Sequence, residues 1–387
     1  MQQQVNISET AKTNPVKAAE MALQIPNIMK KHQKIWTGNN NITGTGDDAQ
    51  VPWACGARFS WNPPSFGTSF TGYFALPWFF DNFWLNRSTV VEERDGKQAK
   101  IPVYVTAKYN PEEIDRVVIV WPGAWRNSWV YINLVGNAYR IAQKYPELNV
   151  RDGKVFMMSP VFFNQDDKVA LKHDELYFNN EGWSAGGTAR HPDGFQHISS
   201  FQVMDRLIEI AVDKNRFPNV KKVVVIGHSL GAQANLHYAL IKRPKKYDNM
   251  IKYWIGDPGA VTYLDDWRPI HKHNCSGYNS WPYGLSNHGS IPKYNRKRAG
   301  KHGERFKEQF YQKNIHFGIA LNDNGHGNTH CQAMMQGPNR ISRTSLWIKH
   351  FGDDFPSNFT VDYVPGLSHQ DYPMIAYYGS LKYIFTD

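Results

Sequence analysis

The amino-acid sequence predicts an α/β domain with a mainly parallel sheet of about eight strands flanked by helices. Three observations carry this expectation. Short β-branched runs such as Val117-Val118-Ile119-Val120 and Ile251 to Ile255 recur along the chain. They alternate with stretches of helical spacing, among them Ser199 to Lys214, which puts Phe201, Met204, Leu207, Ile208 and Val212 on one face. The third is Val223-Val224-Val225-Ile226-Gly227-His228-Ser229-Leu230-Gly231, a buried-strand run meeting a glycine-flanked turn. A helix-compatible segment follows through Tyr238 and Leu240.

Taken in order, residues 1–50 read as a polar N-terminal arm, with a short amphipathic helix near Lys17 to Ile28. Residues 51–387 read as one domain, opening on an aromatic stretch punctuated by Pro and Gly through residue 85. Thr89 to Glu92 and Ile101 to Thr106 form a hairpin across Asp95-Gly96. The Val117 strand ends in Pro122-Gly123-Ala124-Trp125-Arg126-Asn127, and helical spacing runs from Trp129 to Tyr145. Val155 to Met158 is a strand, and a polar loop from Asn164 leads to the Ser199 helix. After Ile251 to Ile255 comes a lid-like insertion, 258–312, read as a cap. Ile315 to Leu321 and Thr360 to Val364 are the last strands, with helices over Cys331 to His350 and Tyr372 to Phe385.

Composition narrows the classes. A hydrophobic content of 41% supplies a full core, and the net charge of +10 favours anionic surfaces or substrates. No zinc-finger spacing or stacking repeat accompanies that charge, so nucleic acid is not expected as a partner. The basic stretch Lys293 to Lys307 reads as a solvated face of the insertion. No run reaches the roughly 20 apolar residues of a membrane span, so no stable membrane insertion is expected. Sequons at Asn6, Asn41, Asn86, Asn274 and Asn358 lean towards a secreted glycoprotein, with the cytoplasm as the alternative. Cys55, Cys275 and Cys331 permit one disulfide and one free thiol. The sequence leaves oligomeric state open.

The chemistry centres on Ser229. A strand, a tight Gly-x-Ser-x-Gly turn and a helix hold a serine hydroxyl clear of the sheet edge, facing the free N–H groups of the helix start. A serine alone is a poor nucleophile and needs a base, an orienting acid and an oxyanion hole. His369, between the last strand and the last helix, is the candidate base. Asp323 ends the preceding strand and is the candidate acid; Asp257, one strand earlier, is the alternative. Backbone N–H groups of Leu230 and of Ala124 or Trp125 are the oxyanion-hole candidates. Arg126, Asn127 and His228 are candidates for substrate contact. A second pentad, Gly182-Trp183-Ser184-Ala185-Gly186, follows no strand and precedes no helix, so Ser184 reads as a loop residue. No cofactor is called for. His271-x-His273-x-Cys275 and His326-x-x-x-His330-Cys331 do not match recognised zinc spacings, and no metal is expected.

From about Ser88 to Asp387 the chain resembles the α/β-hydrolase superfamily, and within it a poorly characterised, fungal-type serine hydrolase group. The likeness lies in Ser199-Ser200-Phe201-x-Val203-x-Asp205 and in Arg216-Phe217-Pro218-Asn219 before the elbow. It continues in Cys275-Ser276-Gly277-Tyr278-Asn279-x-Trp281-x-Tyr283-Gly284-Leu285. It also covers Cys331-x-Ala333-x-x-Gln336-Gly337-x-Asn339-Arg340 with Arg343, and Val364-Pro365-Gly366-x-x-His369. The resemblance implies an α/β-hydrolase fold, a Ser229–Asp323–His369 triad and a Cys275–Cys331 disulfide. That bridge is also a simpler reading of the Cys/His clusters than zinc. Pro122-Gly123 stands where the family usually has His-Gly, and Asp257-Pro258-Gly259 where it has an Asn-Pro-Ser-like turn. The expected activity is a serine hydrolase acting on a small-molecule carboxylic ester, lactone or amide. The alternatives are a ligand-binding receptor or carrier on the same scaffold, and an interfacial lipase.

Overall fold

A computed structural model describes residues 2–25 and 67–386 apart from positions 70, 273 and 302. The expectations for Asn41, Cys55, His273 and residues 51–66 lie outside the described residues.

Two helices lead the chain, α1 (Gln2–Ala11) and α2 (Pro15–Ala22). Short strands β1 (Gly67–Thr68), β2 (Gly72–Tyr73) and β3 (Phe79–Phe80) precede the hairpin of β4 (Phe83–Arg94) and β5 (Lys97–Thr106). Then come β6 (Arg116–Val120), α3 (Ser128–Ala142) and β7 (Val155–Pro160). The two-residue β8 (Tyr177–Phe178) and β9 (Ala189–His191) lead to α4 (Ser200–Val212), β10 (Lys222–His228) and α5 (Leu230–Ile241). β11 (Ile251–Gly256) opens onto the insertion, which carries α6 (Arg296–Lys301) and α7 (Gly303–Tyr311). β12 (Asn314–Ala320), α8 (Cys331–Met334), α9 (Arg340–Phe351) and β13 (Phe359–Val364) follow, and α10 (Asp371–Ile375) and α11 (Tyr378–Phe385) end the chain.

Nine strands form one sheet in the order β13-β12-β11-β10-β6-β7-β5-β4-β3. From β13 across to β7 every neighbouring pair is parallel; β5, β4 and β3 run antiparallel at one edge. The strand beyond the expected eight is the two-residue edge β3. From β6 the chain winds first to β7 on one side and later to β10 through β13 on the other. The order therefore reverses between β6 and β10, and a crevice opens beyond the carboxyl ends of these strands.

Both sheet faces are covered, so the central strands are apolar on both sides. Along β10, Val223 and Val225 join the core containing α4, α5 and α9 side chains, while Val224 and Ile226 join the core with α3, α10 and α11. The hairpin turn has positive φ at both Asp95 (50°) and Gly96 (70°), the geometry that suits a right-twisted two-residue connection. Ser199 caps α4 with a reciprocal Gln202 box.

Three expectations need correction. The first part of the polar arm is folded: Ile7, Ala11, Ala18, Ala19 and Ala22 are buried in the main core, with α1 against β13 and α2 against α9. The Ala side chains let α2 approach closely without a long apolar stripe, so the hydrophobic pattern is weak. Asn14 caps α2 by accepting from the Lys17 N–H, with Pro15 as first helical residue. The helix expected over Cys331 to His350 is two helices, because Gly337 (φ 153°) and Pro338 interrupt it. The last helix is also split; there Gly379 restarts α11 against Asp362, where a Cβ would lie 1.8 Å from Oδ2.

Candidate active site

The site is assembled from four strand ends. β10 runs into the elbow, where Ser229 takes φ 58° and ψ −122° before α5 begins. That conformation is costly for a residue with a Cβ and survives only where packing over-determines it. A Cβ on Gly227 would sit 2.2 Å from the Gly231 carbonyl oxygen, and one on Gly231 2.5 Å from that of Pro122. Both positions therefore require glycine. The Ser229 N–H is tied to the Gly256 carbonyl at 2.9 Å, and the buried Asn235 amide bonds the carbonyls of Val225 and Trp254. β10, β11 and α5 are thereby locked around the turn.

The loop after β13 brings His369 across the crevice. Its Nε2 is 2.8 Å from Ser229 Oγ, and its Nδ1 is 2.8 Å from Asp323 Oδ2. The Asn322 N–H bonds the Leu367 carbonyl at 2.8 Å, which fixes the β12 end to the His369 loop. From α1, Gln4 reaches both: its amide nitrogen donates to Asn322 Oδ1 at 2.7 Å and its oxygen accepts from Gly366 N–H at 2.8 Å. Asp323 is buried, and burial alone would push its carboxyl up; the facing His369 and Arg340 overcome that and hold it below the usual carboxylate range.

Sequence reasoning quoted Arg340 only as part of a motif. In the structure it opens α9, and its Nη1 donates to Asp323 Oδ1 at 3.0 Å. The carboxylate is thus gripped on both oxygens. Gly325 and Gly327 make room, since a Cβ on either would lie 2.5 or 2.6 Å from that guanidinium. Two glycines within five residues of an acid, ahead of an Asn-Arg helix start, are the signal available in the sequence.

The loop after β6 packs on the elbow through Pro122 and Gly231. Ala124 is exposed at the site rim and Trp125 half-buried. Neither the Leu230 nor the Ala124 N–H has a protein acceptor among the described residues. Arg126 is placed differently from the expectation of substrate contact. It is buried, paired with Asp167 and bonded to the Phe162 carbonyl, and it lies over the Tyr73 ring. A buried guanidinium needs a matching carboxylate, and Asp167, which also accepts from the Tyr73 N–H at 2.8 Å, provides it. Asn127 is buried at the start of α3, makes no side-chain cap bond, and leaves Oδ1 without a partner. His228 is buried against the His369 ring, centroids 4.7 Å apart, and does not line the open crevice.

Asp257 does not orient His369; its Oδ1 accepts from the Ala320 N–H at 2.8 Å. Ser184 sits in a buried 3-10 turn with its hydroxyl donated to the Glu181 carbonyl at 2.8 Å. Among the described residues, one trio of potential metal ligands lies within 4.8 Å, His228, Asp257 and His369. Both His369 nitrogens already face Ser229 and Asp323, which leaves two free ligands, too few for a protein-held tetrahedral site. Cys275 and Cys331 form a disulfide that joins the insertion to α8.

No protein-family model matches the sequence. No curated protein matches it either. Solved structures match in fold. Poly(aspartic acid) hydrolase-1 from Sphingomonas sp. KT-1 superposes with a TM-score of 0.50 and 17% identity, over 74% of this chain and 93% of that one. LpqC, a poly(3-hydroxybutyrate) depolymerase from Bordetella parapertussis, gives 0.48 and 16%, over 77% and 87%. The siderophore hydrolase EstB from Aspergillus nidulans gives 0.40 and 12%, over 79% and 93%. With the strand order, the crossover at β6 and β10, and the strand–elbow–helix unit, the chain has the α/β-hydrolase fold.

Proposed function

We propose that this protein is a serine hydrolase that cleaves a small-molecule carboxylic ester, lactone or amide through an acyl-enzyme on Ser229. The observation that carries the reading is the unbroken chain Ser229 Oγ–His369 Nε2, His369 Nδ1–Asp323 Oδ2, each link 2.8 Å. His369 Nε2 takes the hydroxyl proton as Oγ bonds to the substrate carbonyl carbon. The carbonyl oxygen becomes an oxyanion, received by N–H groups of Leu230 and of Ala124 or Trp125. As the carbon–leaving-group bond breaks, His369 returns the proton to the departing oxygen or nitrogen. Water repeats the sequence and frees the acid. Asp323, held ionised by His369 and Arg340, keeps Nδ1 protonated and offsets the imidazolium charge.

Several finer points belong to the same proposal. Residues 258–312 act as a cap: the insertion leaves the sheet beside the Gln233 side chain of α5, and its Tyr283 bonds Asn328 at 2.8 Å. The disulfide, with exposed sequons at Asn6, Asn274 and Asn358, supports secretion. No described helix is long and apolar enough to cross a membrane. A second reading, action at a lipid–water interface, is favoured by the exposed Phe74, Trp78, Phe79 and Trp84 at the β3–β4 edge. Turnover that rises sharply when a soluble ester becomes an emulsion selects it. The deciding experiment for hydrolysis is labelling with a fluorophosphonate. Label on Ser229 together with turnover of short p-nitrophenyl esters is expected; folded protein that takes no label refutes the reading.

A further inference from the structure

Directly behind His369 lies a cluster of polar side chains that the reaction above does not use. His228, the last residue of β10, has neither ring nitrogen hydrogen-bonded. Asp257 follows β11 with φ 45° and is fixed by its N–H to the Gly318 carbonyl at 2.9 Å. Its Oδ1 is occupied by Ala320, but Oδ2 has no hydrogen-bond partner and lies 3.7 Å from His228 Nε2. A ring nitrogen of His228, one of His369 and an Asp257 carboxylate oxygen all fall within 4.8 Å of one another. Buried polar atoms without partners are few in folded proteins. Three of them on two adjacent side chains, packed against a general base, call for an explanation that packing does not give.

We propose that Asp257 is a reserve carboxylate for His369, a positioning residue that shares the site with Asp323 and orients and balances the imidazole when Asp323 cannot. The inference rests on the serine-hydrolase reading. The groups facing Asp257 are His228 from β10, Asp323 from the end of β12, His369 from the loop after β13 and Arg340 from α9. Two neighbouring carboxylates do not both ionise in a buried site. Asp323 holds the charge because His369 and Arg340 bond it directly. Asp257 is kept protonated by burial and then by the negative charge of Asp323. Removing Asp323 removes that repulsion while leaving the Arg340 guanidinium without its carboxylate. The Asp257 proton then passes to solvent, and its carboxylate stands within reach of the imidazolium formed in each turnover. His228, kept neutral by burial and by the nearby His369 and Arg340, adds no competing positive charge.

The test is a double-mutant cycle on the full chain, with ester turnover over pH and the rate of Ser229 labelling by a fluorophosphonate as two readouts. Asp323→Ala is expected to keep at least about tenfold more kcat than Asp323→Ala/Asp257→Ala, with Asp257→Ala alone costing less than either. The acid limb of the Asp323→Ala profile should lie at higher pH than that of the wild type, because Asp257 must first deprotonate. That displacement should be absent from the double variant. If the alanine variants do not fold, Asp323→Asn and Asp257→Asn provide the same cycle. Single and double variants equally slow at every pH overturn the proposal, as a purely structural Asp257 requires. Wild-type protein that takes no label instead removes the serine-hydrolase reading and this inference with it.

Discussion

The chain holds two Gly-x-Ser-x-Gly segments, and their surroundings differ at every level. Around Ser184 the backbone closes a 3-10 turn, Gly186 absorbs the left-handed residue (φ 77°), and the serine hydroxyl bonds a carbonyl three residues back. Around Ser229 the left-handed conformation falls on the serine itself, at φ 58°, and the hydroxyl faces an imidazole. The flanking glycines also differ in use. A Cβ on Gly182 would meet nothing within 4 Å, whereas Gly227 and Gly231 are each pressed against backbone. The lesson is that the pentad encodes a turn. What makes a serine available is a buried strand feeding the turn and a helix leaving it, because these put the strain on the central residue.

The largest test of that contrast is Ser229→Ala, which should lower kcat for p-nitrophenyl esters by at least about 10⁴-fold while leaving the circular dichroism spectrum unchanged. Gly231→Ala comes next. Its Cβ must displace the Pro122 carbonyl, so the β6–α3 loop shifts from the elbow; a loss of about 1–3 kcal/mol in urea unfolding and a drop in kcat are expected. Arg340→Met leaves Asp323 Oδ1 without its cation, and kcat should fall about tenfold with little change in KM.

The two acids at neighbouring strand ends extend the contrast to pH. The folded Asp323 carboxyl lies below its unfolded value, near 3.9. Its stabilising contribution is therefore present above that value and lost as pH falls through the folded one. Asp257 is raised instead, so its contribution is present below about 3.9 and is lost as pH rises towards its folded value. Asp257→Asn should accordingly gain in Tm relative to the wild type as pH climbs from 4 to 8; a constant difference would contradict a neutral Asp257. Ser184→Ala is the smallest effect. It removes one buried hydrogen bond, about 1 kcal/mol in denaturant unfolding, and should leave kcat within about twofold.

Much of this was legible because it is local. Val223 to Gly231 states strand, turn and helix within nine consecutive positions, and Asp323 and His369 follow apolar runs that read as strands. Arg340 was not legible as the partner of Asp323, since nothing local ties a helix start to a carboxylate seventeen residues away. Arg126 was misplaced because a cation beside a site loop looks like a ligand contact until its buried partner, Asp167, is seen. At the N-terminus α1 was missed, and α2 was foreseen only as a short helix near Lys17 to Ile28 in an unpacked arm; it buries alanines, whose small side chains give little periodic signal. The interruption at Gly337-Pro338 was visible in the sequence and should have divided the helix.

The Cys275–Cys331 bridge joins positions separated by 56 in sequence, with α6, α7, β12 and Asp323 between them. A protease cutting anywhere between the two cysteines therefore leaves fragments that stay covalently joined. Nicked protein should migrate as one band without reductant and as two with it, and the crosslink retains both Ser229 and His369 in one molecule after such a cut.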